Sequence, residues 1–138
     1  MKGVLAMGAA AVAALALAGA ASAAPRGATL SARALAERHG LRVDRIAVVG
    51  GGGLVDLRVT VLDPEKAKGL VGGHLAPRLV VLPGGPVLSA PGHGGRSVPL
   101  REGAQGYVLF PNVGNAVRPG GEVSVEFGAL RVEPVQVR

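Results

Sequence analysis

The sequence predicts an all-β fold, an antiparallel β-sandwich, immunoglobulin-like, of about seven strands, with a short N-terminal helix behind an export signal. Three observations lead there. Beyond residue 40 the chain falls into short segments rich in Val, Leu and Ile. Gly- and Pro-rich turn signals separate those segments. No apolar stretch among them is long enough, or suitably periodic, for a long helix. A small closed barrel is the alternative architecture.

The first element is the export signal, residues 1–23. Lys2 gives a basic start, and an uncharged apolar run extends from Val4 to about Ala21. Ala21-Ser22-Ala23 then supplies a small-x-small exit. The run is dominated by Ala and Gly, which favours cleavage over retention as a membrane anchor. The destination is the periplasm or the cell exterior. With no Cys in the chain, an N-terminal lipidated Cys and any disulfide are excluded. The remainder is the size of one domain. Residues 24–40 form an N-terminal segment with the helix, and residues 41–138 form the sandwich.

Residues 29–39 read as the helix, with Ser31 as cap and Gly40 as stop. Residues 41–49 are a strand whose alternation slips near Arg45-Ile46, the sign of a bulge or of burial on both faces. A glycine run, Gly50 to Gly53, then links two strands. It is no dinucleotide fingerprint, because Val55 stands where the third glycine belongs and a strand comes next instead of a helix. Residues 54–62 alternate most clearly: Val55, Leu57, Val59 and Val61 face one way, Asp56, Arg58 and Thr60 the other. Asp63 caps one or two helical turns over residues 63–68, with Pro64 at the first helical position. Residues 78–82 and 87–89 make a hairpin around Pro83-Gly84-Gly85-Pro86, and residues 91–95 a flexible loop. Residues 106–110, 122–127 and 130–137 are the remaining strands, the last carrying Pro134 as the mark of an edge or a bulge.

Composition narrows the chemistry. The chain has one Tyr, two Phe and no Trp, so its core is aliphatic. It carries 15 Lys and Arg against 9 Asp and Glu, a net charge of +6. Arg26, Arg33, Arg38, Arg42 and Arg45 concentrate part of that surplus near the mature N-terminus. This basic face is either a soluble surface or a binder of polyanions or a membrane surface. Nucleic acid fits poorly, because the basic region has no interleaved aromatics on which bases stack. Membrane contact is expected only if the signal is retained.

The four serines after residue 23 lie in no nucleophile motif, and the scattered acids offer no defensible catalytic pair. No enzyme is expected, and no cofactor. His74 and His93 each sit among glycines, and their convergence would make a metal-handling protein. The soft ligands of a copper carrier are lacking, since both Met residues belong to the signal. Asp56 and Arg58, two apart on one strand, form a candidate structural ion pair. They are expected to hold the turn at residues 63–68 or a neighbouring strand. If the pair is covered, Asp56→Ala should cost about 2–4 kcal/mol.

Gly52-Gly53-Leu54-Val55-Asp56-Leu57-Arg58, and after it Asp63-Pro64-Glu65-Lys66-Ala67, resembles a family of small exported bacterial proteins of uncharacterised function. The likeness continues through Leu100-Arg101, Tyr107 to Asn112, Val117 to Gly120 and Val123 to Gly128. The Gly/Pro-rich stretch from Pro83 to Gly95 departs from the pattern. The resemblance implies export and the sandwich fold, and it carries no catalytic or binding residue. Together these readings point to an exported, non-enzymatic binding or accessory module, with another extracytoplasmic protein as partner.

Overall fold

The computed structural model describes residues 29–71, 76–92 and 96–138. The expected signal at residues 1–23, together with Arg26, His74 and His93, lies outside them. The described chain runs β1 (Thr29–Leu30), α1 (Ala32–His39), β2 (Leu41–Val49), β3 (Leu54–Val61), α2 (Pro64–Val71), β4 (Arg78–Leu82) and β5 (Val87–Ser89). It continues through β6 (Arg96–Ser97), β7 (Gln105–Pro111), β8 (Glu122–Phe127), β9 (Leu130–Val132) and β10 (Val135–Gln136).

The strands form two sheets. One has the order β2-β3-β7-β6; the other has β1-β9-β8-β4-β5, with β10 also on β8. This is the immunoglobulin arrangement: the first matches its A-B-E-D sheet, and β9-β8-β4-β5 matches G-F-C-C′. Among the described residues all pairings are antiparallel except that of β1 with β9, which is parallel.

Ten strands are therefore described where about seven were expected. Two of the additions, β1 and β6, are only two residues long, too short for any periodicity to show. The third comes from division of the last strand. Val123 faces Val135 and Glu126 faces Arg131, so four residues of β9–β10 span three of β8. The extra residue falls at Glu133-Pro134, the bulge that Pro134 predicts. A second slip, between Val43 and Arg45, leaves Asp44 as the bulged residue of β2.

The core lies between the sheets. Val55, Leu57, Val59 and Val61 of β3 and Val108 and Phe110 of β7 meet Leu79 and Val81 of β4 and Val123, Val125 and Phe127 of β8. Each such side chain contributes about 1.5–3 kcal/mol when fully buried. Both Phe rings are inside.

Two helices pack beside one another against the strands, where Lys66 Nζ donates to the Glu37 carbonyl at 2.9 Å. The α1 helix begins at Ala32, later than residue 29, because Thr29 and Leu30 pair with β9. Ser31 Oγ accepts from the Ala34 N–H at 3.0 Å. Gly40 ends the helix at φ 59°, and its carbonyl accepts from both Leu62 and Asp63 N–H. The α2 helix runs to Val71, beyond the expected residue 68. Ala67 and Leu70, three apart, sink one face into the core, and this anchoring extends the helix past its capped first turns. Leu30 and Leu35 belong to the same core as the strands.

The two sheets are stitched along one seam. The Val48 N–H donates to the Arg138 carbonyl and the Arg138 N–H to the Ile46 carbonyl, each at 2.9 Å. Arg138 thereby carries the β10 side of one sheet onto the outer edge of β2.

Candidate functional site

Asp56 and Arg58 project from the outer face of the β2-β3-β7-β6 sheet. In register, Asp56 lies between Ala47 and Leu109, and Arg58 between Arg45 and Tyr107. Arg58 Nε donates to Asp56 Oδ2 at 2.8 Å, and Arg45 Nη2 stands 3.7 Å from the same oxygen. The Asp56 side chain is only 4% exposed, while both arginine side chains are 47% exposed. Long arginine stems lie over the short carboxylate and keep their charged heads in water. Asp56 and Thr60, which alternate outward with Arg58, are thus both buried. The partners of Asp56 are on its own strand and on β2. The turn at residue 63 has its own fastenings, since Asp63 Oδ1 accepts from the Glu65 and Lys66 N–H groups.

Asp56 Oδ1 is buried and accepts no hydrogen bond among the described residues. The Arg58 guanidinium lies over Tyr107, 5.6 Å from its ring centroid. Beside them Asp44 is fully engaged: Arg42 Nε donates to it at 2.8 Å and Thr60 Oγ1 at 2.6 Å. Asp44, Arg45, Arg58, Gln105 and Arg138 line a groove of about 360 Å³. Of the N-terminal arginines, Arg33 is paired with Glu37 on α1 and Arg42 with Asp44, while Arg45 lines the groove with Arg58 and the distant Arg138. No local spacing signals Arg138, whose place depends on the cross-sheet stitch.

A second surface lies at the opposite edge. Strand β5 pairs only with β4 among the described strands. The turn bond from Val81 N–H to the Pro86 carbonyl sets the alternation, so Leu88 bonds inward and Val87 and Ser89 turn their backbone groups outward. Val87 is 49% exposed and Val113 69%. With Pro86, Leu88, Ser89 and Pro111 they line a groove of about 490 Å³. Asn112 fixes the loop that carries Val113. It is buried, its Nδ2 donates to the Gly52 and Val117 carbonyls, and its Oδ1 accepts from Val117 N–H, all at 2.9 Å.

On the β8–β9 hairpin, Glu126 accepts from Arg131 at 2.6 Å and from Arg78 at 2.8 Å. The Arg131 hydrogen bond, reinforced by both positive charges against the opposing effect of burial, holds the Glu126 carboxyl below the usual range. Among the described residues no three metal-ligating side chains gather, and no helix is long and apolar enough to cross a membrane. In comparisons with known proteins, no family model, curated protein or solved structure matches this chain.

Proposed function

We propose that this chain is an exported, non-enzymatic binding module that receives an extended segment of another extracytoplasmic protein along the free edge of β5. The observation that carries the reading is the coincidence of outward backbone groups at Val87 and Ser89 with exposed apolar Val87 and Val113. A partner strand gains main-chain hydrogen bonds from such an edge, and flanking apolar side chains supply its specificity. Large exposed aliphatics beside an unpaired edge otherwise invite aggregation, so a natural edge of this kind is best explained by an occupant.

The test is site-specific photocrosslinking in the producing cell, with the crosslinker placed at Val87, at Val113 or, as control, at Arg118. The reading expects one protein adduct, shared by the first two positions. The discriminating variant is Ser89→Pro, which removes an outward N–H from the β5 edge and leaves Leu88 in the core. In that background the adduct should be lost. Adducts that persist unchanged in Ser89→Pro, or that form equally from Arg118, overturn the strand-addition reading. Export is checked separately by intact mass: protein recovered outside the cytoplasm should lack residues 1–23.

A further inference from the structure

The arginines on the outer face of β2 and β3 stand in an arrangement that the sandwich does not require. Arg45 and Arg58 are directly opposed across the two strands, and like charges so placed destabilise a sheet. Arg138 adds a third guanidinium to the same groove. The carboxylates nearby satisfy them only in part: Asp56 Oδ2 lies 2.8 Å from Arg58 Nε and 3.7 Å from Arg45 Nη2, one negative charge for two guanidiniums. Asp44 is occupied by Arg42 and Thr60. Asp56 lies beneath the arginines and takes one hydrogen bond, from Arg58 Nε. Among the described residues the terminal nitrogens of Arg58 and the whole Arg138 guanidinium make no hydrogen bond.

Arg58 is also fixed in place. Asp56 holds its Nε, and the Tyr107 ring supports the guanidinium. A guanidinium held at one edge presents its other edge as a planar fork, the geometry that matches oxyanions. An anion seated over Arg45 and Arg58 would offset the excess positive charge that Asp56 alone leaves there.

We propose that this groove binds a sulfate- or phosphate-type oxyanion, clamped by Arg45 and Arg58, with Arg138 and Gln105 at the rim. Asp56 is a positioning residue that aims Arg58. At about 360 Å³ the groove is larger than the anion alone, so it has room for an ester that carries such a group.

The test is a titration of the purified protein with sodium sulfate and, separately, inorganic phosphate, with ionic strength held constant by chloride. Arginine Nε–H and backbone amide resonances are followed. Saturating shifts at Arg45, Arg58, Tyr107 and Arg138 are expected. Saturation by sulfate alone points to a sulfate ester, by phosphate alone to a phosphate ester, and by both to a site for their shared tetrahedral charge. Arg45→Gln and Arg138→Gln should each weaken binding roughly tenfold with little change in melting temperature, because both residues are exposed. Asp56→Asn should weaken it too, with the Arg58 Nε–H resonance displaced before any anion is added. Shifts that grow without saturating at every exposed arginine, Arg38 and Arg118 included, overturn the proposal. So does an affinity unchanged in Arg45→Gln, or the absence of any shift with either anion.

Discussion

Asp56 is a buried carboxylate whose partners are half in water, and that asymmetry sets what its removal does. Asp56→Ala frees Arg45 and Arg58 to hydrate, so the penalty of an uncompensated buried charge is mostly avoided. The expected loss is about 1.5–2 kcal/mol, the lower part of the range for a charge-assisted hydrogen bond, less than full burial of both partners would give. A thermal melt should fall by roughly 4–12 °C. Asn112 is the opposite case, since every group it touches is backbone. Asn112→Ala leaves the Val117 N–H and two carbonyls without it, at about 1–3 kcal/mol for each group that stays unsatisfied. It should therefore cost more than Asp56→Ala in urea unfolding. Glu126 adds a pH dependence. Its carboxyl titrates lower in the folded chain than in the unfolded one, so the unfolded state binds its proton first as pH falls. Its stabilisation is present above about pH 4.3 and is lost as pH drops through the depressed folded value. Melts of Glu126→Gln should lie below those of the parent at pH 7 and converge with them in strong acid. The Asp56–Arg58 contact is legible in the sequence because a strand places residues i and i+2 on one face. Asn112 is legible only as the end of a strand, since its partners are 60 and 5 residues away.

At the scale of elements, the caps and turns carry the clearest local signals. Ser31, Gly40, Asp63 and Pro134 each act through chemistry confined to a few residues, and each marks its boundary. The length of α2 and the existence of β1 and β6 are not legible, because they depend on distant partners. Gly106 shows how. A Cβ there would lie 2.7 Å from the Ser97 carbonyl oxygen, so the glycine admits β6 against β7, yet in sequence it reads only as a weak strand residue. Gly40 has a double requirement. It adopts a left-handed φ of 59°, and a Cβ would stand 2.6 Å from the Asp63 carbonyl oxygen. Left-handed strain alone costs about 1–2 kcal/mol for a residue with a side chain, and the clash adds to it. Gly40→Ala should therefore loosen the α1–β2 corner and lower the melting temperature by at least roughly 5–10 °C. An unchanged melt would show that the corner can shift to make room.

For the whole molecule, the alternating segments identify the sandwich, whereas the assembly of its two faces lies beyond local pattern. Arg45, Arg58 and Arg138 share a groove because the chain beyond β10 returns to β2, and no spacing in the chain encodes that return. The stitch at Ile46, Val48 and Arg138 also makes the sandwich unequal along its two sides. One side is bound by backbone hydrogen bonds and spanned by α1; the other ends in β5 and the two-residue β6. The molecule is thus built like a book with a single spine. Thermal opening should begin at the unbound side and leave the spine closed. In native-state amide exchange, the Val48 and Arg138 protons should be retained long after that of Leu88, which bonds inward to β4, has been replaced by deuterium. A protein that opens in this order loosens the β5 edge without disturbing the arginines, so the two surfaces can be occupied independently.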